Sequence, residues 1–269
     1  MPISKTGGAR FQAASDQSLL VYFGQSAHLN LGRAEARPLQ NHEEKSHAPD
    51  PVAINSARAV QNQITIEAHE RVRRLLRLME LEPVAGVRNL HPAYCSLLVK
   101  FDAKKLRHEQ MEEILRGYLS RMEEVNLPEP QVVEIPVCYG SEYGPDLNEV
   151  ATMHGMMAAQ VIELHASKDY LVYFLGFVPG FAYLGELPEA LVTPRLAAPR
   201  RIVPAGSVGI AGNQTGVYPF VTPGGWRLLG RTPLTMFRTD REGLSLLSIG
   251  DRVRFVPISR EQFVALERA

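Results

Sequence analysis

Cysteine is scarce in this sequence, and the two present, Cys95 and Cys138, lie far apart. A chain of 269 residues is long enough to bury stable cores without disulfides, so both side chains are predicted to be buried thiols. Net charge is also lacking, because 29 Lys and Arg residues balance 29 Asp and Glu residues. Without a basic excess the chain has no electrostatic footprint for nucleic acid, which is not expected as a partner.

Long apolar runs are missing as well. No stretch approaches the roughly 20 apolar residues that cross a bilayer, and the first residues, MPISKTGGARFQAAS, do not contain the apolar segment of a secretory signal. A cytoplasmic location with no membrane partner is therefore expected.

Three familiar catalytic patterns are absent from the sequence. The eight histidines show neither an HExxH motif nor a Cys-His spacing, so no metal site is predicted. There is no phosphate loop ending in Gly-Lys-Ser or Gly-Lys-Thr, and no Gly-x-Ser-x-Gly nucleophile motif. The chain therefore shows no self-sufficient hydrolytic machinery.

The segment 170–226 has an unusual composition. It holds 9 of the 20 aromatic residues and 16 of the 40 Gly and Pro residues, yet it contains no Asp, Lys or His. Rigid turns, aromatic side chains and backbone amides suit the wall of a binding site. Because proton-transfer groups are scarce there, the segment is predicted to bind a ligand or complete a site rather than to perform chemistry alone.

The first half of the chain has the pattern of an α+β domain. Residues 1–14 are small and polar and are predicted to be a flexible lead, and residues 15–128 are predicted to form the domain. Between 33 and 57 the sequence is charged and Pro-containing and has no aromatic residue, which is typical of an exposed insertion.

Within that half, apolar residues at helical spacing predict helices at about 60–81 and 105–124. Short apolar runs predict strands around them, the last at 132–139. The order strand, helix, two strands, helix, strand indicates a ferredoxin-like α+β layer.

Residues 129–269 are predicted to form a second, β-rich domain. Short strands punctuated every 8 to 12 residues by Gly or Pro indicate a β-barrel or sandwich. Asp146, with Glu149 three residues later, is placed to cap a short helix that Gly155 ends. Pro179 and Gly180 fit the central pair of a type II turn.

The aromatic candidates have two interpretations. Phe181 and Tyr183 follow the Pro179-Gly180 turn, and Trp226 follows two glycines that allow close backbone approach. Each of these rings either lines a pocket or fills the barrel core.

The polar candidates also have alternatives. Arg200 precedes a glycine-rich turn with Ser207, a pattern that suits a carboxylate or phosphate ligand, although a single Arg equally forms surface ion pairs. Gln214 and Arg231 lie in the motifs that follow. His165, at the end of an apolar helical face, is either a general base or a histidine hydrogen-bonded at a helix end.

These motifs, in this order, resemble the KipI family, also known as allophanate hydrolase subunit one and associated with the small B-type component of prokaryotic ATP-dependent 5-oxoprolinase. The resemblance spans the second half of the chain and is carried by IPVCYG, GPDLNEVA, Leu-His at 164 and 165, GFVPGFAYLG, Pro-Arg at 199 and 200, VPAGSVGIAG, QTGVYPF, PGGWRLLGRTP and GDRVRF. The insertion at 33–57 departs from the more compact family pattern.

The resemblance implies an α+β N-terminal domain followed by a cyclophilin-like β-barrel. It implies a subunit of an enzyme that opens the 5-oxoproline lactam to glutamate, with a KipA-like large (C) subunit and an A subunit as partners. ATP with magnesium would be the cofactor of the assembled complex, with none evident in this chain alone. Two alternatives are a KipI-like inhibitor of a histidine kinase and half of a biotin-dependent urea-type carboxyltransferase.

A shared site is expected on chemical grounds. Phosphorylating and opening a lactam requires ATP, a metal and acid-base groups, whose motifs this chain lacks. The chain is therefore predicted to supply part of a composite site. The catalytic candidates are His165 and Arg200. The residues expected to contact a small-molecule substrate are Phe181, Tyr183, Ser207, Gln214, Trp226 and Arg231.

Overall fold

The computed structural model describes residues 8–23 and 65–268. The insertion predicted at 33–57 and residues 60–64 of the first predicted helix lie outside the described residues. The chain divides into two compact units, Met1–Val125 and Asn126–Ala269.

The first unit contains a four-stranded antiparallel sheet and two helices that contact it. Its strands are β1 (Ala9–Ser15), β2 (Ser18–Phe23), β3 (Val87–Pro92) and β4 (Ser96–Phe101), in the spatial order β1-β2-β4-β3. Its helices are α1 (Ile66–Leu81) and α2 (His108–Leu119), followed by a 3-10 turn at Met122–Glu124. The helix and strand pattern predicted between 65 and 124 is confirmed.

Local sequence explains where these helices lie. The hydroxyl of Thr65 accepts a hydrogen bond from the Ala68 backbone N–H and caps the start of α1. Val72, Leu75 and Met79 then bury one side of the helix, as the spacing of apolar residues predicted.

The first unit differs from the sequence prediction in two places. Residues 9–14, expected within a flexible lead, form β1 together with Ser15, and β1 pairs with β2 from Ala9 opposite Phe23 to Ser15 opposite Ser18. Because β1 is a mostly exposed edge strand, its sequence carries no apolar alternation that would reveal it. The strand at 132–139 belongs to the second unit instead of closing this sheet, so the ferredoxin-like layer is not confirmed.

The second unit contains a closed seven-stranded barrel, which confirms the barrel prediction. The barrel strands are β5 (Val132–Tyr139), β6 (Asp169–Leu175), β7 (Ala182–Gly185), β9 (Ser207–Ala211), β10 (Gln214–Val217), β12 (Arg227–Arg231) and β13 (Arg252–Pro257), and the remaining pair is β8 (Arg200–Val203) with β11 (Thr222–Gly224). The helices are α3 (Leu147–Met153), α4 (Ala158–Ala166) and α5 (Arg260–Glu267), with a 3-10 turn at Glu189–Leu191. The cyclophilin-like assignment stays a prediction.

The barrel closes in the order β10-β7-β6-β13-β5-β12-β9, with β9 and β10 joined as a hairpin. β13 runs parallel to β5 and antiparallel to β6. The core of the barrel consists of fully buried side chains that alternate along the strands. Among them are Ile135, Val137, Val172, Val208, Ile210, Val253 and Phe255. Burial of each such side chain stabilises the fold by about 1.5–3 kcal/mol.

Two turns in this unit match the sequence predictions. Gly180 has a φ of 79°, and the Phe181 N–H donates to the Val178 carbonyl at 3.1 Å, as the predicted type II turn requires. Gly155 has a φ of 64° just after α3 and ends that helix as expected. Cys95 and Cys138 are buried free thiols, one in each unit.

Among residues 8–23 and 65–268, none of the helices combines the length and the apolar character that a bilayer crossing requires.

Candidate functional site

The aromatic residues of the GFVPGFAYLG, QTGVYPF and PGGW motifs form one cluster. The ring centroid of Phe181 lies 5.0 Å from that of Tyr183, 5.2 Å from Tyr218 and 5.4 Å from Trp226, each pair edge to face. Such pairs contribute about 0.5–1.5 kcal/mol each beyond simple area burial. Phe181, Tyr218 and Trp226 are buried, whereas Tyr183 is partly exposed. Of these four rings, Tyr183 is therefore the one that reaches the surface.

Two glycines make room for this cluster. Gly209 of β9 and Gly216 of β10 are directly paired across the hairpin. A Cβ at Gly216 would lie 3.1 Å from the rings of both Phe181 and Trp226, and a Cβ at Gly209 would lie 3.2 Å from the Trp226 Cβ. The pair forms a platform without side chains on which the rings pack, which explains the glycine spacing of this motif.

The two tyrosines of the cluster are neutral hydrogen-bonding groups. Burial raises the pKa of Tyr183 and of Tyr218 above the ordinary value, and the positive charge of Arg195 opposes this for both. Because a phenol with a raised pKa keeps its proton at neutral pH, these side chains donate hydrogen bonds rather than act as bases. This agrees with a segment that lacks proton-transfer groups.

Arg200 lies beside the cluster in an ion pair that the sequence did not predict. Its Nη2 lies 2.5 Å from Oδ1 of Asp146, and its Nη1 donates to the Trp226 carbonyl at 3.4 Å. The other oxygen of Asp146 accepts from the Leu228 N–H at 2.7 Å. Through these contacts the buried Asp146 holds Arg200 against the segment that carries Trp226.

The prediction that the Asp146 side chain caps α3 was wrong. Asp146 occupies the N-cap position of α3, but its side chain makes no capping hydrogen bond. Two stronger contacts, the guanidinium and the buried Leu228 N–H, take the carboxylate instead. Glu149 likewise lies 2.6 Å from Nη1 of Arg227. The start of α3 is thus tied by two ion pairs to β8 and β12.

The remaining polar candidates lie at two different levels of the barrel. Ser207, at the start of β9, is buried opposite Arg231 of β12, whose Nε donates to the Ala205 carbonyl at 2.8 Å. Gln214 is paired with Ala211 at the other end of β9. Four residues of strand correspond to about 13 Å at ~3.3 Å per residue. The structure therefore brings Ser207 and Arg231 together and places Gln214 away from them.

His165 is fully buried near the end of α4, and both ring nitrogens make hydrogen bonds within the second unit. The Thr215 hydroxyl donates to the Gly209 carbonyl at 3.1 Å, so it accepts from His165 Nε2 at 2.8 Å. Nδ1 is then unprotonated and accepts from the Tyr139 hydroxyl at 2.7 Å. This network fixes a neutral imidazole in one tautomer.

The environment of His165 opposes protonation. Burial lowers its pKa from 6.5 to about 3. Its ring stacks on Phe255 with centroids 4.6 Å apart, and its carbonyl accepts from the Tyr170 hydroxyl at 2.8 Å. These contacts are those of a histidine that holds packed elements together, and the catalytic role suggested for His165 stays a prediction.

Asp146 is the polar residue that sequence reasoning did not count in the site. A usable signal was present, since a carboxylate between Pro145 and Leu147 precedes a segment rich in arginine and without Asp. An excess of arginine over aspartate in that segment favours an ion pair between Asp146 and a distant Arg over helix capping.

The fold and these motifs define a class of protein. A sequence model of the carboxyltransferase domain, subdomain C and D, matches residues 56–247. The chain belongs to this family, and relatives that share much of its sequence are the B-type subunits of 5-oxoprolinases. That of Bacillus subtilis (strain 168) is 43% identical over 205 residues, covering 70% of this chain and 82% of the relative. That of Escherichia coli O157:H7 is 46% identical over 199 residues, covering 72% and 88%.

Two solved structures share the fold of this chain. The crystal structure of TTHA0988 matches 74% of this chain with a TM-score of 0.66 and 38% sequence identity, and this chain spans 39% of the length of that chain. The K. lactis urea amidolyase matches 98% of this chain with a TM-score of 0.67. Because its sequence identity is only 17%, this second likeness shows the fold alone.

Proposed function

We propose that this chain is the B-type subunit of a multi-subunit ATP-dependent 5-oxoprolinase, which opens the lactam of 5-oxoproline to give glutamate. The observation that carries the proposal is the identity of 43% and 46% to two 5-oxoprolinase subunits of this type, over most of their lengths. The matched residues include the barrel motifs that build the aromatic cluster.

In this proposal the chain supplies one wall of a composite site. Tyr183 is the exposed edge of the wall, Phe181 and Trp226 are the packed rings that support it, and Arg200 is the cation beside it. The Arg200 side chain suits this task because five N–H donors in a planar fork can hold an internal carboxylate and still face an anionic ligand. This side chain is 29% exposed although it is paired with Asp146.

The other polar candidates do not all lie at one place in the proposed site. Ser207 and Arg231 face each other across β9 and β12 and can act as one polar group. Gln214 lies at the opposite end of the hairpin, so it serves a different part of the ligand or the companion chain. His165 supports the barrel from within, where its hydrogen bonds position α4.

Companion subunits would supply the phosphate chemistry. Among the described residues there is no group of three or more His, Cys, Asp or Glu side chains that could hold a metal ion. In the proposal, ATP and magnesium are bound by the KipA-like large (C) subunit and the A subunit.

Reconstitution tests the proposal. The three purified subunits together should release glutamate from 5-oxoproline only when ATP is present, and omission of this chain should reduce the rate at least ~100-fold, since one wall of the site is then missing. Glutamate release is measured enzymatically, with heat-unfolded chain as the control. A full set that never forms glutamate, or that works equally well without this chain, would show that the proposal is wrong.

The two alternatives predict other outcomes. A histidine-kinase inhibitor would bind a kinase and be dispensable for lactam opening. Half of a urea-type carboxyltransferase would transfer a carboxyl group from carboxybiotin supplied by separate proteins. The relatives at 43% and 46% identity are named as 5-oxoprolinase subunits, whereas the Saccharomyces cerevisiae urea amidolyase is 22% identical over 12% of its length, so the first function is preferred.

A further inference from the structure

Several large apolar side chains of the second unit are exposed and lie outside its buried core. We define the docking face as Phe177, Ile202, Phe220 and Val221. Ile202 is 69% exposed, Val221 is 66% exposed and Phe177 is 61% exposed. Single exposed apolar residues are normal, but a contiguous group of them marks an interaction surface.

The β8–β11 pair presents half of this face. Val203 pairs with Thr222 and Arg200 pairs with Gly224, so two residues of β8, Arg201 and Ile202, stand opposite the single residue Pro223. A bulge of this kind interrupts the normal alternation of side chains. Both Arg201 and Ile202 are consequently exposed, beside the exposed Val221 and Pro223.

The turn that carries Phe177 is continuous with this surface. A Cβ on Gly180 would lie 2.7 Å from the Phe237 Cβ, so the turn rests against Phe237. Phe237 in turn contacts Phe220 edge to face, with ring centroids 5.7 Å apart. Phe220 is the chain neighbour of Val221. Phe177 is thus linked through its turn and Phe237 to Phe220 and Val221, and the pairing of β8 with β11 brings Ile202 next to the strand that follows Val221.

Phe177 is held outward at a cost in backbone energy. Its φ is 69°, in the left-handed region that a bulky residue rarely adopts. Such conformations cost on the order of 1–3 kcal/mol and concentrate at functional positions. The ring contacts Phe181 edge to face at 5.6 Å yet stays mostly in solvent. This is the geometry of a side chain presented to another surface.

The segment that carries Ile202, Phe220 and Val221 has charge of one sign only. Residues 190–239 contain six arginines and no Asp, Glu or Lys. Arg200, Arg227 and Arg238 are paired with carboxylates. Within the part of the chain that the structure describes, Arg195, Arg201 and Arg231 form no ion pair, and Arg201 is the chain neighbour of Ile202. A complementary partner therefore has an apolar surface with carboxylates at its rim.

This charge argues against a second copy of the chain as the occupant. A two-fold symmetric dimer through this face would place the same surface against itself and bring like guanidinium charges together. The length of a solved relative points to a different polypeptide. TTHA0988, at 38% identity, is a longer chain of which this one spans only 39%. The remaining part of such a chain is a candidate partner when it exists as a separate subunit.

We propose that the docking face binds the large companion subunit of the enzyme through an acid-rimmed apolar surface, with Phe177 inserted as a knob. This inference rests on the proposed function. It assigns the exposed turn of GFVPGFAYLG to assembly, and Phe181 and Tyr183 of the same motif to the site wall. The same short segment thereby couples subunit binding to the geometry around Phe181 and Tyr183.

The test measures binding of the purified large subunit to the full chain by isothermal titration calorimetry. Ile202→Glu and Val221→Glu should each weaken binding at least about tenfold, because a carboxylate would then face the acidic rim. Phe177→Gly should weaken binding similarly while keeping the fold, since glycine adopts a φ of 69° without strain. Arg201→Glu should weaken binding and reduce its dependence on salt.

Met157→Glu is the matched control. Met157 is 68% exposed, lies outside the docking face and precedes α4, where a negative charge is favourable. Its binding should stay within about twofold of wild type, as expected of a change outside an interface. Thermal unfolding of every variant verifies that the fold is kept.

The other outcomes overturn the inference in distinguishable ways. If all face variants bind like wild type in an active three-subunit enzyme, the docking face is wrong and the proposed function stands. If the folded wild-type chain binds no large subunit and supports no glutamate release, both fail. If Ile202→Glu abolishes self-association of this chain in sedimentation experiments and leaves large-subunit binding unchanged, the occupant is a second copy.

Discussion

Replacement of Gly144 by alanine is expected to destabilise the second unit by at least ~3 kcal/mol, a large share of the ~5–15 kcal/mol that stabilises a typical domain. A Cβ at this position would lie 1.8 Å from the Leu229 carbonyl oxygen and 2.7 Å from the Gly140 N. Both are backbone atoms. The Gly140 N–H itself donates to the Leu229 carbonyl, so movement of that carbonyl would also break the contact between β12 and the turn before α3.

Gly117→Ala is the matched control for this prediction. Gly117 lies within α2, and nothing stands within 4 Å of the position that its Cβ would take. Because alanine has the higher helix propensity, this variant should be stabilised by ~0.5–1 kcal/mol. Urea unfolding of the two variants and the wild type measures both effects. Equal stability of Gly144→Ala and wild type would contradict the packing described around α3.

Acid is expected to destabilise the protein well above the pH at which carboxylates titrate. Burial lowers the pKa of His165 from 6.5 to about 3, and burial lowers the pKa of His69 in the first unit from 6.5 to about 4. Below pH 6.5 the unfolded chain binds protons that the folded chain excludes, so stability is full above pH 6.5 and falls as pH decreases toward the folded-state pKa values. For His165 the full loss is on the order of 5 kcal/mol.

The window between about pH 6.5 and pH 5 isolates this effect from the carboxylates. Across it each buried histidine should lower the free energy of unfolding by about 2 kcal/mol. His165→Gln keeps an acceptor for Tyr139 and a donor for Thr215 but does not titrate, so its stability should fall by about half as much as that of the wild type. Denaturant unfolding at each pH measures the slopes. Identical slopes would show that His165 is not neutral in the folded protein.

Features with local sequence signals were predictable. The turn at Pro179 and Gly180 depends only on the φ values that these two residues favour, and the structure shows it. The apolar stripe of α1 and the Gly-punctuated strands of the barrel likewise carry their signals in short windows. The segment with Phe181 and Trp226 was identified as a unit by composition, and its rings do form one cluster.

Features set by distant pairing were not predictable. The apolar sequence of β5 suits a strand of the first sheet as well as a strand of the barrel. Its pairing with β12 and β13 places it in the barrel. The exposed edge strand β1 has no periodicity to detect. Asp146 has a residue spacing that suits capping, but Arg200, 54 positions away, takes its carboxylate. Register and partner choice are properties of the whole fold.

Composition also could not predict which aromatic side chains are buried. Phe181 and Trp226 had equal standing as pocket walls and as core, and the glycine platform on β9 and β10 places both inside. Of the remaining candidate side chains, Tyr183, Arg200, Gln214 and Arg231 are partly exposed and Ser207 is buried. An aromatic ring fills whichever space the backbone leaves, so its role follows from the packing.

The central claim, that this chain contributes directly to a shared site, is tested most directly by the kinetics of the assembled enzyme carrying Arg200→Lys. Lysine retains the positive charge opposite Asp146 and so keeps the fold, but it loses the planar fork of N–H donors that would hold a ligand. Glutamate release is measured at varied 5-oxoproline, with complex formation verified for each preparation. We predict that kcat/KM for 5-oxoproline falls at least about tenfold at unchanged assembly. An unchanged kcat/KM in a fully assembled complex would contradict the account.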